Sequence, residues 1–241
     1  MTERTEKDNR AQLAFWDQAL AIPEEEKKAI ENAGEMGLEA FAPAEKILKA
    51  ACTLGERKKV LDYGCGIGWA AVAAAKSGCA DVTAADAAPN AVESTRFLAK
   101  LFGVEAQVHP VCIAGDWLKT VPPETYDGFF CSNVLDTVPP KTAEEIVREA
   151  ARALTPDAEV LIGLNYWLSP EMAAEKGMTL TDSCMVYMGD VLRLVSRTDE
   201  EWEAIFAPYF TVESLTMFAW EGEPEEKRRL FRLRKKADGK E

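Results

Sequence analysis

Three glycines at alternate positions, Gly64, Gly66 and Gly68, follow the apolar run Val60-Leu61-Asp62-Tyr63 and precede the alanine-rich run Trp69 to Lys76. Glycine is needed in such a bend because the backbone takes positive φ and because a ligand can approach the main chain with no Cβ in the way. An apolar run too short to be a helix, a tight bend and an alanine-rich stretch read together as a buried strand, a turn and a helix. The start of that helix offers unpaired N–H groups and a partial positive charge to an anionic ligand. Asp86 lies 22 residues beyond Gly64, near the spacing at which a carboxylate reaches back to ribose hydroxyls, accepting two hydrogen bonds at once. Its competing role is a helix N-cap for the segment that begins at Pro89. The chemistry suggested is recognition of a nucleoside.

Three ligand classes fit a glycine bend, and spacing separates them. A phosphate-gripping P-loop ends in Gly-Lys-Ser or Gly-Lys-Thr, which is absent here. A dinucleotide site asks for G-x-G-x-x-G or G-x-G-x-x-A, and Gly66, Gly68 and Ala71 match the second form loosely. A bend serving only helix–strand packing is the plain alternative. The third pattern, Asp62 two residues before Gly64 and then Gly-x-Gly-x-Gly, resembles the turn of the class I S-adenosylmethionine (SAM)-dependent methyltransferases. The resemblance spans about Val60 to Leu164, and more weakly the C-terminal strands.

That resemblance implies site residues beyond the bend. In the family an acidic residue in the loop after the third strand accepts the adenine amino group beside an apolar neighbour, and Asp116-Trp117 resembles that pair. Asn133, in the segment Ser132-Asn133-Val134-Leu135-Asp136, stands where the sulfonium end of SAM is expected. The tetrad Asn-Pro-Pro-Tyr or Asp-Pro-Pro-Tyr of amine-methylating relatives is absent, which disfavours base N-methylation. Phe15-Trp16-Asp17 resembles a lid segment that touches the cofactor, although an apolar stripe more often means packing, with Phe15 and Trp16 anchoring the helix to the core. Carried over residue by residue, the expected cofactor contacts are Asp62, Gly64, Cys65, Gly66, Gly68, Asp86, Ala87, Asp116, Trp117, Asn133 and Trp16. The cofactor is SAM, leaving S-adenosylhomocysteine as product. No nucleophile triad is needed or found; if a proton must be removed, Asp136, Tyr166 and Asp190 are candidates by location only, and the catalytic residues are left unassigned. His109, before Pro110, reads as structural.

The elements that hold these residues follow from alternation. Val60 onward, Asp81–Ala85, Glu105–Val111, Tyr126–Ser132 and Glu159–Leu164 read as strands, with helices at Trp69–Lys76, Pro89–Phe102 and, from a capping box at Thr142 and Glu145, to Leu154. Alternating strands and helices demand a parallel sheet covered on both faces, with ligands outside the carboxyl ends of the strands. Thr198 and Glu201 cap a helix to Ala207, and Thr211–Trp220 and Arg228–Lys235 read as a final hairpin. The expected fold is α/β and Rossmann-like: doubly wound, mostly parallel, seven-stranded, with an antiparallel last strand and an N-terminal helical cap. Domain limits are a cap or lid over 1–59 and a catalytic domain over 60–241, with a substrate-lid insertion at about 165–190. The insertion is rich in methionine and aromatic residues, which suits an apolar or aromatic acceptor or, alternatively, a helical cap or dimer surface.

Composition bounds the partners. A net charge of −13 repels polyanions, and the basic residues of Arg228 to Lys236 read as a solvated edge, not an RNA site. Six scattered cysteines and one histidine supply no usual zinc set. Reduced thiols, no long apolar run and a polar start lead us to expect a cytoplasmic protein, monomer or homodimer, with a small-molecule acceptor and no nucleic acid, membrane or metal. The sequence reading is a SAM-dependent methyltransferase working mainly by positioning, with a NAD(P)-dependent oxidoreductase or a non-catalytic SAM-binding protein as alternatives.

Overall fold

The computed structural model describes residues 3–34, 36–181 and 184–236; the expected cap, insertion and C-terminal limits that fall on the other positions lie outside the described residues. Helices α1 (Glu3–Ala19), α2 (Glu24–Asn32) and α3 (Glu45–Thr53) precede the sheet. There follow β1 (Val60–Tyr63), α4 (Trp69–Lys76), β2 (Val82–Asp86), α5 (Pro89–Leu101), β3 (Val108–Cys112), α6 (Trp117–Thr120), β4 (Tyr126–Ser132), α7 (Pro140–Ala153) and β5 (Leu154–Leu164). After β5 come α8 (Pro170–Glu175), β6 (Thr179–Thr181), β7 (Met185–Met188), β8 (Val191–Val195), α9 (Asp199–Phe206), β9 (Phe210–Phe218) and β10 (Arg228–Lys235).

Seven strands form one sheet in the order β3-β2-β1-β4-β5-β10-β9. β1 pairs in parallel with β2 and β4, while β10 runs antiparallel to both β5 and β9. The antiparallel β10 inserted between β5 and β9 departs from the all-parallel 3-2-1-4-5-6 order of dinucleotide-binding domains. The sheet is covered on both faces, as βαβ crossovers require. Strand alternation assigns the faces: Val60 packs in the cluster with Ile47, Ala71 and Val72 of α3 and α4. Leu61 packs on the other side with Ile146 and Val147 of α7 and Trp202 and Phe206 of α9.

Local signals account for most boundaries. α5 starts with Pro89 at its first position, where a missing N–H costs nothing. α9 has the expected capping box, with the Thr198 hydroxyl accepting from the Glu201 amide and the Glu201 carboxylate accepting from the Thr198 amide. β3 is an edge strand, which is why it tolerates Pro110.

Four expectations are corrected. α7 starts at Pro140, so Thr142 lies inside its first turn and caps nothing. A proline with fixed φ at the first position decides that start ahead of the threonine. The basic C-terminal strand is not a solvated edge: β10 is interior, and Arg228, Arg229 and Lys235 are buried. Their charges are met by Glu223, by Asp199 and by the Leu154 carbonyl, and β9 takes the edge. The insertion after β5 is not a helical cap: besides α8 it carries a three-stranded antiparallel sheet, β6-β7-β8. β5 begins at Leu154, ahead of the expected start at Glu159, and Asp157 takes φ 61° within it. His109 is a surface residue, its Nε2 3.8 Å from an Asp81 oxygen.

Candidate functional site

All three glycines of the bend after β1 have positive φ, 73° at Gly64, 55° at Gly66 and 86° at Gly68, which L-residues adopt only with strain. A Cβ on Gly64 would lie 2.1 Å from Val134 Cγ2, and one on Gly68 would lie 2.5 Å from Thr95 Cγ2. The bend is therefore clasped between the loop after β4 and α5. Its amides are largely turned inward. Gly64 and Cys65 both donate to the Ala85 carbonyl, at 2.7 and 3.1 Å, and Gly68 donates to Cys65 at 2.9 Å. An anion cradle built from these N–H groups is not what the bend provides.

Asp86, the last residue of β2, occupies the gap beside it. One carboxylate oxygen accepts from the Gly66 amide at 2.9 Å and the other from the Ala88 amide at 2.9 Å. Asp86 is thus not the N-cap of α5, a position held by Ala88. Each carboxylate oxygen has two acceptor sites, so one on each remains. Burial raises the Asp86 pKa above the ordinary carboxylate value, against the lowering effect of the Ala88 and Gly66 amides. Ala87 is exposed next to it. The Ile113 amide donates to the Asp86 carbonyl at 2.9 Å, which brings the loop of Asp116 and Trp117 alongside. Asp116 is exposed, and Trp117 packs partly against the α7 side of the core.

Two expected contacts point elsewhere. Asp62 shares the parity of Val60 and so faces α4, not the crevice. Its Oδ2 accepts from the Ala71 amide at 3.1 Å, serving the first turn of a helix whose N-cap, Gly68, has no side chain. Burial pushes the Asp62 pKa up to about 8, outweighing that hydrogen bond. The Cys65 side chain is also buried, its Sγ 3.5 Å from Thr95 Oγ1. Of the pair, only the Cys65 backbone belongs to the bend.

Asn133 takes φ 56°, one of three non-glycine residues with positive φ among those described. Such outliers gather at functional sites, and asparagine tolerates the conformation better than most. Its amide is tied to the Gly163 carbonyl at 2.9 Å, while the side chain is half-buried with no hydrogen bond to the described residues.

The cap closes over this ground. Gln12 of α1, buried, donates from Nε2 to the Thr137 carbonyl in the loop after β4 and to the Leu192 carbonyl of β8, the latter at 2.8 Å. Asp17 accepts from the Asn90 amide at 2.8 Å, and Ser94 of α5 donates to the Leu20 carbonyl at 2.7 Å. Leu20 is the α1-side residue that meets the bend, 3.5 Å from a Cβ placed on Gly66. Trp16 instead sits edge-to-face on Phe15, ring centroids 5.0 Å apart. Sequence reasoning missed Gln12 and Leu20, which meet the sheet domain only across the closed cap, and Val134, which meets Gly64 only once β1 and β4 are paired.

The proton-acceptor candidates separate. Asp136 is fully buried, with Oδ2 accepting from the Asn165 amide at 2.6 Å and its side chain at 3.0 Å. Burial raises its pKa, against Asn165 and the nearby Arg229. Tyr166 lies 5.8 Å below the Arg228 guanidinium, and Asp190 is exposed at the β7–β8 turn. No group of three or more metal-ligating side chains occurs among the described residues, and no helix among them is long and apolar enough to cross a membrane.

Strand order and bend define a class I methyltransferase fold. Residues 60–157 match the family described as a methyltransferase domain. The chain is 36% identical over 103 residues to the ubiquinone biosynthesis O-methyltransferase of Neisseria meningitidis serogroup A (strain Z2491), a match covering 43% of this chain and 42% of that protein. It therefore spans less than half the length of this curated relative. Among solved structures, a protein from Pyrococcus horikoshii OT3 superposes with a TM-score of 0.63 at 17% identity, covering 84% of this chain and 100% of that one. The 1,6-didemethyltoxoflavin-N1-methyltransferase of Burkholderia thailandensis, solved with bound 1,6-didemethyltoxoflavin and S-adenosylhomocysteine, gives 0.60 at 21% identity, covering 83% and 79%.

Proposed function

We propose that the chain transfers a methyl group from SAM to a small-molecule acceptor. The observation that carries this reading is the Asp86 carboxylate hydrogen-bonded to Gly66 at the carboxyl ends of β1 and β2, in a sheet with an antiparallel β10. When bound, SAM supplies an electrophilic methyl on a sulfonium with a good leaving group. The residues present fit that cofactor. Asp86 keeps acceptor sites for the two ribose hydroxyls, and we assign Asp116 to the adenine amino group and the Asn133 side chain to the reactive end. Gly66 leaves the main chain open to close approach, with Ala87 and Trp117 beside it, while Gly64 and Gly68 shape the bend by making room for Val134 and Thr95. Asp62 and Cys65 act through the bend's shape, and Trp16 through the cap.

What the protein contributes is positioning. Holding an acceptor in a near-attack arrangement supplies several kcal/mol without a dedicated base. We assign residues 1–59 and about 165–190 as the cap and the substrate lid. Closure by Gln12 across the loop after β4 excludes water from the acceptor. The net charge of −13 supports a small acceptor over nucleic acid. A cytoplasmic protein, monomer or homodimer, fits the six free cysteines. The O-methyltransferase relative favours an oxygen nucleophile.

Titration calorimetry with S-adenosylhomocysteine and with NADH tests the reading. Binding of the first and not the second is expected, and at about 100 times the dissociation constant it stabilises the fold by roughly 2.7 kcal/mol. Binding of NADH alone overturns it. An acceptor panel that releases no S-adenosylhomocysteine leaves a binding protein in place of an enzyme.

A further inference from the structure

Arg193 of β8 is half-buried, its guanidinium carbon 4.1 Å from the Phe15 ring centroid and 5.7 Å from that of Trp16. It makes no hydrogen bond or ion pair with the described residues. The other buried or half-buried arginines behave differently. Arg57 and Arg232 share Glu159, Arg152 takes Glu149, Arg197 takes Glu144, Arg228 takes Glu223, Arg229 takes Asp199 and Arg234 takes Glu213. In a chain with 41 acidic and 28 basic side chains, a sequestered cation without a carboxylate stands out. Aromatic faces offset only part of the desolvation of a cation.

Its place in the fold is equally specific. The neighbouring Leu192 carbonyl takes the Gln12 side chain at 2.8 Å, and the Val195 amide donates to the Asp136 carbonyl at 2.6 Å. β8 therefore walls the loop that carries Asn133, and Arg193 lies on that wall between it and α1. A guanidinium stacked on a ring keeps its in-plane N–H donors for a planar anion, which it grips in bidentate fashion.

We propose that Arg193 is the specificity-determining residue for an acceptor that carries a carboxylate, bound through the guanidinium edge with its body against the cap. This rests on the methyltransferase reading and extends it to a substrate class. It also gives the acidic protein a local attraction for a substrate that its overall charge repels.

The test uses the full chain saturated with S-adenosylhomocysteine, titrated with benzoate, phenylacetate, 4-hydroxycinnamate and indole-3-acetate, each against its primary amide. At least one acid is expected to bind about tenfold or more tightly than its amide, and that preference disappears in Arg193→Gln. Arg193→Lys, which keeps the charge but not the fork, retains part of it and controls for folding. If no acid outbinds its amide, or the preference survives in Arg193→Gln, the proposal is overturned. If Arg193→Gln instead weakens S-adenosylhomocysteine and leaves the acid preference intact, the carboxylate held is the cofactor's own and the acceptor assignment falls. Failure of the wild type to bind S-adenosylhomocysteine removes the underlying methyltransferase reading, a result distinct from all of these.

Discussion

The Asp86 carboxylate sits 2.9 Å from the amide of Gly66, tying the end of β2 to the middle of the glycine bend. The same group is thus both a strut for the bend and the proposed ribose acceptor. Asp86→Ala is expected to weaken S-adenosylhomocysteine binding at least tenfold by calorimetry. The loss of two backbone hydrogen bonds costs the fold about 1–3 kcal/mol, measured separately by urea denaturation. Affinity unchanged in a folded variant removes the ribose role.

Asp62 gives stability a pH dependence. Its pKa in the folded state is about 8 against 3.8 when free, so between those values the folded chain holds a proton that the unfolded chain has released. Stability then falls as pH rises through this window, by up to about 1.4 kcal/mol per pH unit for this one group. Asp86 and Asp136, also raised, act in the same direction. Urea denaturation of the wild type should show it less stable at pH 8 than at pH 5 by roughly 2–5 kcal/mol. Asp62→Asn should flatten that slope, and an identical slope in the variant sinks the assignment.

The two glycines Gly68 and Gly103 separate backbone strain from crowding. Both have positive φ, 86° and 67°, but a Cβ on Gly103 meets nothing within 4 Å whereas one on Gly68 meets three atoms of Thr95 at 2.5–2.9 Å. Gly103→Ala should cost about 1 kcal/mol and Gly68→Ala roughly 3 kcal/mol or more by chemical denaturation. Equal losses would mean that α5 yields to the new methyl group.

Gln12 holds α1 to two other parts of the chain through one side-chain nitrogen. Gln12→Met keeps the volume and strands two buried carbonyls, at a cost of about 1–3 kcal/mol. Hydrogen exchange should quicken in α1 and β8 and stay unchanged in β1 and β4. A protected α1 in the variant would show that the cap is held by its apolar contacts alone.

Much of the architecture was legible. Alternating apolar runs and amphipathic segments suffice for a parallel sheet because each strand must bury both faces. The bend, Asp86 at the end of β2 and Asn133 after β4 fell where expected, since a strand-to-helix turn needs glycine whatever surrounds it. The insertion after β5 was not legible, because three strands of three to five residues leave no period long enough to register. Interior β10 was misread for its charges: six of its eight residues are buried although four are arginine and one is lysine, which only partners distant in sequence permit.

The amino-acid sequence alone determined the sheet, the glycine bend and the carboxylate beside it, because periodicity and backbone conformational limits act over a few residues. Tertiary structure decided which way Asp62 faces in its surroundings, that the bend's amides are consumed internally, and that Arg193 meets Phe15 and Trp16 without a carboxylate. The first two outcomes depend on how β1 docks on α4 and β2, through the Ala71 amide and the Ala85 carbonyl, and the third on α1 meeting β8, which Gln12 bonds across 180 residues of sequence, contacts that no local propensity encodes.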